Sequence, residues 1–132
     1  DLTVTRTLDF TNSLTNAQVG GDPQTPVFTA KAGTPTIFRF LHPGGHNRNN
    51  VMQIHGHVWE EEPYVDSSRS IGDNLLSEWK GASMGHGPSN HLDVPLRNGA
   101  GGKFKVPGDY LYRTHQSFQF DGGMWGIFRV TP

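Results

Sequence analysis

The chain has 132 residues, 33% apolar and 17% charged, with a formal net charge of -1, 17 Gly, 9 Pro, 7 His and no Cys. That length fits one domain spanning 1–132 with one modest core, and the Gly and Pro content calls for many turns between short elements. The charge balance excludes a strongly basic nucleic-acid binder, and no stretch reaches the roughly 18 apolar residues of a membrane span. The missing Cys excludes disulfides, zinc–thiolate sites, cysteine nucleophiles and the thiolate of a blue copper centre.

The first residue is Asp1, not Met, and no signal peptide is visible, which suits a mature product, a processed fragment or an excised domain. Leu2–Phe10 alternates apolar and polar residues and predicts a strand, followed by a loop over Asn12–Pro26. Val27–Lys31 and Thr36–Leu41 are short strands around the turn Ala32-Gly33-Thr34-Pro35. After the polar loop His42–Asn50, the run Val51–Trp59 predicts the next strand. The long connection Glu60–Asn90 carries a candidate helix near Asn74–Lys80 and is of a length that usually serves function or an interface. His91–Leu96 is extended, Asn98–Gly102 is a Gly-rich turn and Lys103–Val106 is a candidate strand continuation. Pro107-Gly108-Asp109 reads as a turn, Tyr110–His115 as a strand, and Met124–Thr131 as the closing strand. Seven or eight short strands with turns between them predict an all-β, antiparallel Greek-key sandwich.

Histidine is the outlying residue type. In a strand, His55 and His57 of Ile54-His55-Gly56-His57 project from one face, where two imidazoles can share a metal ion, and Gly56 lets a ligand or backbone approach. Arg113 and His115 share a face in the same way, with Thr114 pointing opposite. If their strand neighbours Val51–Trp59, then His55, His57 and His115 form a candidate metal set suited to Cu(II) or Zn(II). The bland reading is a set of hydrogen-bonded strand histidines. His86 and His91 in MGHGPSNH, and His42 and His46 in HPGGHNRNN, read as solvated loop residues, with His86 and His91 as further ligands or proton donors in the functional reading. Glu60-Glu61-Glu62 is a solvated charge run or a source of carboxylates that orient His55 or His57.

VMQIHGHVW, followed by VPGDYLYRTHQSFQFDGGMWGIFRV, resembles the C-terminal cupredoxin domain of multicopper oxidases, the laccase and copper nitrite reductase superfamily. The resemblance runs from about Val27 to Val130, and its patterns are H-P-x-H-x-H-G-H and H-C-H-x-x-x-H with a following axial Met or Leu. It implies a cupredoxin-like fold but a broken ligand set. The blue-copper His falls on Asn50 or Asn49, the Cys on Thr114 and the second His on Gln119, leaving only Met124 in place. Of the four cluster positions, Gln53 and Arg113 are lost, while His55 and His115 are kept; His57 matches a supporting His. Phe118 and Phe120 are expected to plug the space of the blue copper.

The resemblance therefore implies copper without a blue centre. The copper sits either in a mononuclear type 2-like site of His55, His57 and His115, or in a site shared with another domain or subunit, with redox chemistry if active. The alternative is a non-catalytic assembly module of the same descent. A sugar-binding sandwich using Trp59, Tyr64 and Trp79 has no fixed spacing behind it. Because the cluster of the resembled family lies between domains, an oligomer or a partner cupredoxin domain is expected to cover this face. An extracytoplasmic location, periplasmic or secreted, is implied by resemblance.

Overall fold

The computed structural model describes residues 21–42, 49–60, 78–83, 85–115 and 117–132. The strand expected over Leu2–Phe10 and the residues His46, Glu61, Glu62 and Tyr64 lie outside them.

Among the described residues eight strands form: β1 Val27–Lys31, β2 Ile37–Leu41, β3 Met52–Ile54, β4 Trp59–Glu60, β5 Trp79–Lys80, β6 His91–Pro95, β7 Gly108–Thr114 and β8 Trp125–Thr131. A short helix, α1 (Ser117–Asp121), joins β7 to β8. One sheet has the order β1-β8-β7-β3; β2 pairs with β6 and β4 with β5 in two smaller sheets. β7 and β8 are antiparallel, with Tyr112 opposite Gly126, and β3 lies antiparallel on β7, with Gln53 opposite Arg113. The all-antiparallel expectation fails at one edge, since β1 runs parallel to β8. These two strands are remote in sequence, so no hairpin dictates their direction.

Alternation explains the core. Met52 and Ile54 of β3, Tyr112 and Thr114 of β7, and Phe128 and Val130 of β8 point inward. Phe38 of β2 and Val94 of β6 meet them from the facing pair, joined by Trp59, Leu96 and Ala100. Phe38 packs edge-on against Phe128 at 5.1 Å, and Tyr112 stacks on Phe28 at 5.5 Å. The Tyr112 hydroxyl donates to the Pro26 carbonyl at 3.0 Å, and the space a Cβ at residue 126 would need is filled by those two groups. Glycine in mid-strand is thus a packing requirement there.

Several predicted elements change. The single strand over Val51–Trp59 breaks after Ile54, because Gly56 takes a φ of 71° in a turn packed against the Tyr110 ring. Lys103–Val106 is no strand; Gly102–Phe104 forms a 3-10 turn. Of the candidate helix at Asn74–Lys80, the described part is Trp79–Lys80, which is strand β5. Gly108 and Asp109 open β7 instead of ending a turn.

Candidate metal centre

The break at Gly56 decides the fate of the two neighbouring histidines. His55 stays on the outward side, exposed, with its N–H bonded to Leu111. His57 is carried inward and is only 3% exposed. Its Nδ1 lies 2.9 Å from the His55 carbonyl, and its Nε2 accepts the Gly101 N–H at 3.0 Å. That pairing fixes a neutral ring with the proton on Nδ1 and both nitrogens engaged. The ring packs edge-on against Tyr110 at 4.7 Å and beside Phe128 at 5.4 Å. Burial lowers its pKa, against the raising effect of the His55 carbonyl. His57 therefore leaves the expected ligand set: strand alternation does not hold across a turn, and no lone pair of this ring faces outward.

The structure does bring His55 and His115 to one surface. Their strands are neighbours, and the Gln53–Arg113 pair separates their rows on the outward face. His115 follows β7, with its N–H bonded to the Val51 carbonyl, and its Nε2 lies 2.6 Å from Gln53 Oε1. The amide oxygen accepts, so Nε2 is the donor and Nδ1 is the nitrogen that Gln53 leaves unengaged. The pKa of His55 is lowered by desolvation first and then by the positive charges of Arg113 and His115. Arg113 stands at the middle of this face, but its guanidinium is turned aside. It lies 4.1 Å above the Phe120 ring, and its Nε donates to the Thr114 carbonyl. Among the described residues, no group of three or more His, Cys, Asp or Glu is placed to hold a metal. The outward face thus carries two imidazoles, one on either side of the Gln53–Arg113 pair.

On the inward face Thr114, fully buried, donates its hydroxyl to Asn50 Oδ1 at 3.2 Å. Gln119 reaches the Asn49 carbonyl only at 3.5 Å, and its Oε1 is buried without a hydrogen-bond partner among the described residues. Such a donor set does not fit a blue copper ion, which needs a short thiolate bond and two imidazoles. Of the expected aromatic plug, Phe120 lies under Arg113 and beside Trp125 at 6.5 Å, and the Phe118 side chain lies outside the described residues.

Three further readings are corrected. His42 and His86 are not solvated; they are 7% and 6% exposed, with rings 6.1 Å apart, edge to face. Glu60 is buried within β4. Of the loop histidines among the described residues, His91 fits that reading in being exposed, at the start of β6. The signal for His86 lay in pairing, not composition: Ala82 bridges to Gln53 and His86 to Asn50. One sequence cannot reveal that partnership across so long a connection.

No protein-family profile matches the chain, and no curated protein matches it in sequence. Solved structures do match. A multicopper oxidase aligns at 18% identity with a TM-score of 0.56, over 88% of this chain but 40% of that one. The sodium-dithionite-reduced auracyanin of the photosynthetic bacterium Roseiflexus castenholzii aligns at 15% identity and TM-score 0.47, over 80% of this chain and 84% of that one. Auracyanin B aligns at 15% identity and TM-score 0.47, over 80% and 77%. This chain spans less than half the length of the matched multicopper oxidase. The likeness shows the fold, an all-β cupredoxin-like sandwich.

Proposed function

We propose that the chain is a copper-binding cupredoxin-like domain without a blue centre, presenting His55 and His115 as one half of a copper site. The facing half comes from another cupredoxin domain or a second copy of this chain. The single observation behind this reading is the separation of the histidines: His55 and His115 follow β3 and β7 and are exposed, while the ring of His57 is consumed by backbone. His57 then acts as a positioning residue. Its Nδ1 holds the His55 carbonyl, and its Nε2 ties the turn to Gly101. Gln53 orients the His115 ring so that Nδ1 is the nitrogen left for metal.

Bound copper would supply Lewis acidity and one-electron redox chemistry at this face. The Arg113 cation, held over Phe120, limits the face to a single ion by repulsion and leaves room for an anion beside it. Completion of the site by a facing domain accords with the length of the matched multicopper oxidase, of which this chain corresponds to 40%. An extracytoplasmic setting belongs to the same proposal; among the described residues no helix is long and apolar enough to cross a membrane.

The test is a Cu(II) titration of the metal-free chain, followed by sedimentation at several protein concentrations. We expect binding that weakens at least tenfold in both His55→Ala and His115→Ala, and copper-dependent association of chains or of chain with partner domain. Unchanged affinity in both variants removes the proposed site and leaves a non-catalytic assembly module.

A further inference from the structure

We infer that the cleft beside the 97–106 loop is a docking site for an acidic peptide segment of a partner protein, one that inserts a bulky apolar side chain between flanking carboxylates. It uses none of the copper-face side chains and does not rest on the copper reading. The cleft holds about 670 Å³, within the roughly 300–1,000 Å³ of ligand pockets. Val58, Phe104, Val106 and Tyr110 form its apolar wall, Arg97 and Lys103 are its cations, and the lining contains no carboxylate. Phe104 is 80% exposed, and Val58 and Val106 are exposed beside it. Large apolar side chains grouped in a concave place mark an interaction site, whereas single scattered ones do not.

The positive charge is local. The whole chain has a net charge of -1, yet residues 97–105 hold Arg97, Lys103 and Lys105 without one acidic residue. Among the described residues none of these three is in an ion pair. Arg97 lies 4.1 Å over the Trp79 ring and Lys103 lies 5.6 Å over the Phe104 ring. The rings hold these cations without neutralising them, so both remain available to carboxylates. Asp109, the acid beside Tyr110, is engaged by Arg129 instead. The loop is also preformed. Gly101 donates to His57 Nε2 at 3.0 Å, Val106 to the Gly101 carbonyl at 3.1 Å and Ala100 to the Thr34 carbonyl at 2.9 Å. Lys105 takes a φ of 51°, a strain kept only where the surroundings over-determine the backbone. A site that needs no ordering loses less on binding. An apolar centre with a charged rim suits a peptide, and a flat bilayer has nothing to place in the concavity.

The test is fluorescence anisotropy of a labelled heptapeptide with a central Phe among Asp and Glu, alongside one with a central Ala and one with Asn and Gln in place of the acids. The acidic Phe peptide should bind at least tenfold tighter than either control, and more weakly as salt rises from about 50 to about 300 mM. Its affinity should fall at least tenfold in the double variant Arg97→Glu with Lys103→Glu and at least fivefold in Phe104→Ser, and stay within twofold in Arg39→Gln. Circular dichroism checks folding, and Phe104→Ser, a change at an exposed side chain, keeps the test decisive if the double variant does not fold. Absent binding, equal binding of all three peptides, or binding that survives these variants overturns the site. Co-sedimentation with vesicles of phosphatidylserine in phosphatidylcholine, lost in the same variants while the peptide stays unbound, assigns the patch to a membrane surface and overturns it as well.

Discussion

Replacing His57 by Ala should damage the fold and spare the copper face, the reverse of what His55→Ala should do. The ring links two backbone segments, accepting from Gly101 and lying against the His55 carbonyl, and it is packed on Tyr110 and Phe128. Alanine leaves the buried Gly101 N–H without its acceptor, a cost of about 1–3 kcal/mol. The lost ring contacts and the small cavity add about 1–2 kcal/mol. The His55 carbonyl is partly exposed and recovers a water, so its loss adds little. The sum is about 3 kcal/mol, a large share of the roughly 5–15 kcal/mol that holds a domain together. Urea unfolding followed by tryptophan fluorescence reads it as a shift in midpoint at constant slope. His57→Gln, whose side-chain carbonyl can accept from Gly101, should recover about 1 kcal/mol. Copper affinity of the folded His57→Ala chain should stay within about threefold, whereas His55→Ala should cost little stability and most of the binding. A cost below 1 kcal/mol together with a tenfold loss of copper affinity would refute this division of roles and return His57 to the ligands.

Other expectations follow from the same packing. Gly126→Ala should destabilise by about 3 kcal/mol, since a methyl group there drives into the Tyr112 hydroxyl and the Pro26 carbonyl; a thermal melt within 2 °C of wild type contradicts it. Arg129 donates to both Asp22 and Asp109 at 2.7–3.0 Å, and its hydrogen bonds lower both carboxylate pKa values below 3.8. Depressed carboxylates lend stability above their unfolded pKa that is lost as the pH falls through the folded value. Wild type should therefore lose stability below about pH 4 more steeply than Arg129→Gln, and parallel acid profiles would disprove that. Combining Asn50→His, Thr114→Cys and Gln119→His with the native Met124 should create an intense visible thiolate–copper absorption on adding Cu(II). A colourless product would show that these positions do not converge.

The β-sandwich was legible because its strands alternate, and its cupredoxin-like character came from the resemblance of two segments. Val27–Lys31, His91–Pro95 and Trp125–Thr131 stand in the sequence almost as they fold. The sequence also lacks the thiolate that a blue centre requires, which ligand chemistry decides without geometry. The site was read only in part. HGH looks like a strand pair, but the positive φ of Gly56 turns the chain, and a period-two argument fails wherever the strand ends. His42 and His86 sit among Gly, Asn and Pro and look solvated, yet a bridge to Asn50 holds His86 against the sandwich, and bonds to Ser89 and Asn90 fix His42. Local composition cannot report long-range pairing.

The outward face is tested most directly by pulsed electron paramagnetic resonance of the chain loaded with half an equivalent of Cu(II), which counts the imidazole nitrogens coupled to the metal. The account predicts an axial, nitrogen-rich signal with imidazole couplings that diminish in His55→Ala and again in His115→Ala, while His42→Ala and His86→Ala leave them unchanged. Couplings that survive both outward substitutions would contradict it.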